Sequence, residues 1–237
     1  MKGDEKMNVI AVTGATGGMG QALCEALTKA GFALAICGRD NEKLKVQEAY
    51  LRMLGKSPLV SAAFDLCDEA AADSFFSEAE EKLGKIDALV HLAGLSIPTQ
   101  MDTVTGQDFD RMMDANVKSA LIAAKYYAKY AVAEGGLIVN LGSMAARRAN
   151  GSAPLYCAAK AALNMMYAGM QMQLAEKGIR VTTLNPGGTD TPFWGDRKVD
   201  RSRMLSPQDV IDVILFVLEH PRIVFHSVDF ESTATIG

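Results

Sequence analysis

Tyr156 and Lys160 stand four residues apart in a run, Pro154–Lys177, rich in Ala, Leu and Met. On a helix that spacing turns a phenol and an ammonium the same way, one turn apart. A free tyrosine titrates near ~10, so proton exchange at neutral pH needs roughly 3 units of help, about 4 kcal/mol. A neighbouring lysine cation supplies help of that sign. Among the six tyrosines only Tyr156 has a lysine at i+4. A solvated helix face is the competing reading of such a pair. Ser143 precedes Tyr156 by thirteen residues, at the end of the apolar run Leu137–Leu141. Its hydroxyl suits a carbonyl and the alcoholate that grows from it, or else caps an ordinary turn. Asn116 lies within a long helical run, where Asn is a poor helix former.

A second constellation is Thr13-Gly14-Ala15-Thr16-Gly17-Gly18-Met19-Gly20, between the first strand-like run and the first helical one. Glycines there let the chain turn sharply and let backbone approach a pyrophosphate, while the helix start offers free N–H groups and partial positive charge. Many β–α turns carry two glycines for steric reasons alone, but this placement favours dinucleotide binding. An NAD site usually ends its second strand with an acid about 20 residues further on. Here that strand ends Gly38-Arg39-Asp40, without a carboxylate at Gly38. Arg39 can clamp a 2′-phosphate, so NADP(H) is favoured over NAD(H). Two other readings are open: Asp40 reaches the ribose, or Arg39 merely caps the loop.

The elements that must position these groups alternate along the chain. Asn8–Thr13, Ala33–Cys37, Leu59–Ala63, Ala88–Leu92, Leu137–Leu141 and Arg180–Leu184 read as buried strands. Between them, Gly20–Ala30, Asn41–Leu54, Glu69–Leu83, Thr105–Ala133 and Pro154–Lys177 read as helices, most closed by a glycine. Ser206 caps a last helix, begun by Pro207 and running to about Glu219, and Ile223–Phe230 reads as a last strand. Repeated strand–helix units mean a parallel sheet with helices on both faces. One domain, residues 1–237, accounts for the chain, with a flexible polar tail at 1–6 and a substrate-side loop at 192–205.

The spacing of Gly14, Gly18 and Gly20 behind Thr13 resembles the glycine fingerprint of the short-chain dehydrogenase/reductase family. Ala93-Gly94 match the end of that family's Asn-Asn-Ala-Gly motif, with His91-Leu92 replacing the asparagines. His91 has two readings, an acid/base or, favoured, a structural substitute facing the sheet. The resemblance runs in order from Thr13 to Thr191. It implies a Rossmann-type doubly wound sheet of about seven strands, order 3-2-1-4-5-6-7. It implies that Gly14, Thr16, Gly18, Met19, Gly20, Arg39, Asp65, Leu66, Ala93, Gly94, Pro186, Gly187, Thr189 and Thr191 bind the cofactor, Asp65 at the adenine and Thr191 at the carboxamide. It further implies hydride transfer between a nicotinamide and a carbonyl. In that reading Tyr156 protonates the oxygen and Ser143 positions it. Lys160 holds the ribose and tunes Tyr156, and Asn116 anchors a proton-relay water. An oxidised nicotinamide would add to the stabilisation of phenolate.

The leading expectation is therefore an NADPH-dependent reductase of ketones or 3-oxoacyl groups. An NAD-dependent alcohol dehydrogenase selected by Asp40 is the alternative. A dinucleotide-sensing protein without turnover is a third, against which the retained Tyr156 and Lys160 speak. Phe193, Trp194 and Met204 suggest a short apolar lid, and Leu95, Ile97 and Pro98 the other wall. Arg147 and Arg148 either attract an anionic or carrier-borne substrate or are exposed loop arginines. Met165, Met166, Met170 and Met172 read as helix-packing. The family resemblance implies a homodimer or homotetramer.

Composition narrows the rest. Hydrophobic residues make up 49% and charged ones 22%, which excludes disorder for the bulk of the chain. The net charge is −4 with no basic block, which argues against nucleic acid. Cys24, Cys37, Cys67 and Cys157 show no metal-ligand spacing and read as buried, reduced thiols. The apolar run Met7–Val12 meets the glycine loop instead of a cleavage site, and no stretch approaches the ~18 residues of a membrane span. A cytoplasmic protein without a membrane partner or metal is expected.

Overall fold

Every named strand joins one parallel sheet in the computed structural model, which describes residues 7–132 and 135–235. The strands are β1 (Val9–Thr13), β2 (Ala33–Gly38), β3 (Leu59–Ala63), β4 (Ala88–His91), β5 (Leu137–Leu141), β6 (Arg180–Pro186) and β7 (Ser227–Phe230). Their spatial order is β3-β2-β1-β4-β5-β6-β7, the expected doubly wound arrangement. The chain reverses direction across the sheet between β1 and β4, and α/β folds bind ligands beyond the strand ends at that point.

Strands β1, β4 and β5 are buried at every position, so their alternate side chains feed two cores. Ile10 and Val12 of β1 pack with Leu23 and Leu27 of α1 (Gly18–Lys29), Leu44 and Leu51 of α2 (Asn41–Leu54), and Ile211 and Ile214 of α7 (Pro207–Glu219). Val9 and Ala11 face the opposite way. They join Phe75 and Phe76 of α3 (Glu69–Leu83), Ala123 and Tyr127 of α5 (Ser119–Tyr130), and Leu163 and Tyr167 of α6 (Pro154–Ala175). Side-chain caps set the starts of α2, α3, α4 (Gly106–Met113) and α7. Asp40 accepts from Lys43 N at 3.0 Å, and Ser206 and Asp209 form a reciprocal capping box across the first turn that Pro207 begins.

Three expectations need correction. The run Thr105–Ala133 is not one helix. It is α4 (Gly106–Met113), a π-helical turn over Asp114–Lys118, and α5, while Ala133 lies outside the described residues. Asn116 Nδ2 donates to Met112 O at 2.9 Å, using the carbonyl that an α-helical N–H four residues on would take. The last strand covers only Ser227–Phe230, because residues 223–226 make no ladder with β6. Finally, Met165 and Met172 are 75% and 78% exposed, so only Met166 and Met170 pack against the core. The polar tail at 1–6 lies outside the described residues.

Candidate active site

The carboxyl ends of β4, β5 and β6 open onto a cavity of about 710 Å³. Tyr156 and Lys160 reach it from the first two turns of α6, and Ser143 from just past β5. Lys160 Nζ lies 5.8 Å from the centre of the Tyr156 ring and donates to Leu141 O at 2.8 Å. The lysine is buried, and burial pulls it down to about 8. Burial pushes the Tyr156 phenol up to about 12, opposed by the Ser143 hydroxyl and the more distant Arg197 charge. The expected downward shift from Lys160 is thus absent. Desolvation of the phenolate outweighs every nearby donor in this site.

Ser143 is held by its backbone. Its N–H donates to Asn185 Oδ1 at 3.0 Å, and its own Oγ accepts from Ala145 N at 3.1 Å. Asn185, fully buried on β6, also accepts from Asn164 Nδ2 at 2.8 Å and donates to Asp229 Oδ1 at 2.7 Å. This hub was missed by the sequence reading, which ended the strand at Leu184 and gave Asn185 to the following loop, whereas β6 continues to Pro186. Its signal was an Asn, a poor strand former, inside a β-branched run.

Asn116 is also fully buried. Its Nδ2 spans Leu95 O and Met112 O, both at 2.9 Å, while its Oδ1 has no partner. A Cβ on Gly94 would stand 2.7 Å from that Oδ1 and 3.6 Å from Lys160 Nζ. The absent side chain therefore leaves a small polar gap between an amide oxygen and an ammonium.

The glycine turn lies beside the cavity. Gly14 has φ +70°, and a Cβ there would press on the Ala93 backbone at 2.7 Å. Only glycine fits both demands. Helix α1 begins without a side-chain cap, so its first N–H groups are free for an anion. These features fit a pyrophosphate.

A family model described as short chain dehydrogenase matches residues 8–202. This chain belongs to the short-chain dehydrogenase family. An uncharacterized oxidoreductase of Staphylococcus saprophyticus is 28% identical over 90% of the chain and 92% of its own length. A dehydrogenase/reductase from Sinorhizobium meliloti is 26% identical, with TM-score 0.87 over 97% of this chain and 95% of its own. An alcohol dehydrogenase from Thermococcus sibiricus, complexed with 5-hydroxy-NADP, shares the fold at 22% identity. Its TM-score is 0.88 over 97% and 98% of the two chains.

In this short-chain dehydrogenase, Met19, Gly94, Pro186, Gly187, Thr189 and Thr191 line the same cavity as Asn116, Ser143, Tyr156 and Lys160. Gly14, Thr16, Gly18 and Gly20 follow β1, Arg39 follows β2, Asp65 and Leu66 follow β3, and Ala93 follows β4. These last eight lie outside the cavity, along the same edge of the sheet. His91 is buried in the sheet and pushed down to about 3, chiefly by burial. Its Nδ1 sits 2.8 Å from Thr13 Oγ1, and it does not reach the cavity.

The lid differs in detail from expectation. Phe193 and Trp194 line the cavity and Pro98 faces them, but Leu95, Ile97 and Met204 do not reach it. Phe193 lies 5.8 Å from the Tyr156 ring, centre to centre. Arg147 is paired with Asp229 at 3.0 Å, and Arg148, on the cavity wall, is paired with Glu231. Cys24 and Cys37 are buried free thiols, whereas Cys67 and Cys157 are only half-buried. Among the described residues no helix is long and apolar enough to cross a membrane.

Proposed function

We propose that this oxidoreductase reduces a ketone or 3-oxoacyl carbonyl with NADPH, with Tyr156 as the proton donor. The observation that carries the reading is the convergence of Tyr156, Ser143, Lys160 and Asn116 on one cavity beside an uncapped, glycine-built helix start. The nicotinamide, when bound, supplies the hydride.

Tyr156, held protonated at neutral pH, gives its proton to the carbonyl oxygen. The Ser143 hydroxyl holds that oxygen and stabilises the charge it gains. Lys160 holds the ribose hydroxyls. A water in the gap at Gly94, bonded to Asn116 Oδ1 and Lys160 Nζ, returns a proton toward Tyr156. Gly14, Thr16, Gly18, Met19 and Gly20 cradle the pyrophosphate, and Asp65 with Leu66 receives the adenine. Ala93, Gly94, Pro186, Gly187, Thr189 and Thr191 surround the nicotinamide end.

Arg39, exposed and without a carboxylate partner among the described residues, is left for a 2′-phosphate. Asp40, the candidate for an NAD ribose, is engaged as the cap of α2. That division supports NADP(H), as does the NADP analogue carried by the Thermococcus enzyme. The exposed Met165 and Met172 on α6, with Leu121 on α5, support a homodimer or homotetramer built on that face. A single cytoplasmic domain completes the reading.

The test is Tyr156→Phe. Turnover of a carbonyl panel with NADPH is expected to fall about 100-fold or more while NADPH still binds within a few-fold of wild type. Retained turnover removes Tyr156 from the chemistry.

A further inference from the structure

The cavity has an excess of positive charge on the lid side. Arg148, Lys160, Arg197 and Lys198 line it against one carboxylate, Glu231, which Arg148 already neutralises. Lys160 serves the proton chemistry, and Lys198 is exposed. Arg197 is different, because it is half-buried and fixed. Its Nε donates to Trp194 O at 2.9 Å, Nη1 to Ser96 Oγ at 3.2 Å, and Nη2 to Phe193 O. Its guanidinium carbon lies 5.3 Å from the Phe193 ring centre and 5.0 Å from that of Trp194. A guanidinium has five N–H donors, so each terminal nitrogen keeps one unspent. Among the described residues no carboxylate pairs with it.

Two aromatic rings, two lid carbonyls and Ser96 fix this cation on the cavity wall with two N–H groups unspent and, among the described residues, no counter-charge. The guanidinium packs against Phe193, whose ring centre also lies 5.8 Å from that of Tyr156. We propose that Arg197 is the anchor for a carboxylate on the substrate, and that this enzyme acts on oxo acids in preference to neutral ketones. The two free N–H groups meet the anion as charge-assisted hydrogen bonds. The ketone end of the same molecule then lies toward Ser143 and Tyr156. This assignment rests on the carbonyl-reductase reading for the reaction but not for the binding.

Trp194 is the only tryptophan in the chain, so its fluorescence reports this subsite without any cofactor. Levulinate, acetoacetate and their methyl esters are titrated into wild type, Arg197→Gln and Arg197→Lys, each checked for an intact melting transition. The acids, and not the esters, are expected to shift the emission. Arg197→Gln is expected to weaken acid binding about tenfold or more, with partial recovery in Arg197→Lys. In NADPH-linked turnover the acid-to-ester ratio of kcat/KM is expected to drop by a similar factor in Arg197→Gln.

Equal responses to acid and ester, no response to either acid, or an acid response that survives Arg197→Gln overturns the proposal. Loss of NADPH affinity in Arg197→Gln with an unchanged acid-to-ester ratio also overturns it, giving the guanidinium to the cofactor phosphates. Turnover without discrimination leaves the reductase standing and removes the subsite. An acid-selective, Arg197-dependent fluorescence response with no turnover of any carbonyl upholds the subsite and removes the reductase.

Discussion

Ser143 owes its position to Asn185: the backbone N–H of one donates to the side-chain oxygen of the other at 3.0 Å, across forty-two residues of sequence. The same Asn185 oxygen takes Asn164, and its nitrogen reaches Asp229 and Ser227. A single amide therefore ties together the ends of β5, β6 and β7 and the side of α6.

Asn185→Ala takes the acceptor from Ser143 N and Asn164 Nδ2 and leaves Asp229 and Ser227 to Arg147. A loss of about 2–4 kcal/mol in urea unfolding is expected. Among molecules that stay folded, kcat is expected to fall about tenfold through displacement of Ser143. A stable variant with normal kcat would show that Ser143 is positioned by other contacts.

Arg39→Ala is expected to weaken NADPH by about tenfold or more while changing NADH by less than about twofold, as a lost charge-assisted phosphate contact requires. Parallel fluorescence titrations with the two cofactors check this. Equal losses would end the assignment of Arg39 to a 2′-phosphate.

Lys160 gives a pH signature. Its free-enzyme value is pulled down to about 8, so kcat/KM is expected to decline as pH rises through that value and the ammonium is lost. Stability moves the other way. Between about 8 and the ordinary 10.5 the unfolded chain holds a proton that the folded protein has released, so this group's contribution rises with pH. Below about 8 both states are protonated and the burial cost is felt in full. Lys160→Met is therefore expected to melt higher at pH 7, by about 1–3 kcal/mol after loss of the bond to Leu141 O. That advantage is expected to fade toward pH 10. Melting curves across this range decide it, and a constant difference would mean that Lys160 is not the group responsible.

Gly94→Ala puts a methyl into the gap between Asn116 Oδ1 and Lys160 Nζ. Turnover is expected to fall about tenfold or more, with a stability change under about 2 kcal/mol. Steady-state kinetics beside thermal melting separate the two effects. Full activity would mean that no water is needed there.

Much of the molecule was legible because burial on both faces writes strands such as Ile10–Val12 and Leu137–Val139 as unbroken apolar runs. Tyr156 and Lys160 were legible because one helical turn relates them. What escaped were relationships that cross the fold. Arg197 gave no signal because its partners are backbone carbonyls and Ser96, one hundred and one residues away. Spacing reveals the lysine beside Tyr156 but not the burial that pushes the phenol up in the free chain. Asn116 was visible as a misfit in a helix, but its second partner, Leu95 O, is brought to its amide only by the folded chain.

The link from Ser143 through Asn185 to Asp229 also sets an order of events during synthesis. Chains emerge from the ribosome amino end first, so the glycine turn, Ser143 and the Tyr156–Lys160 helix are all made before β6 and β7. Until those last strands arrive, Ser143 has no amide to hold it and the β5 edge is unpaired. The Ser143 N–H thus gains its acceptor only when β6 lies beside β5.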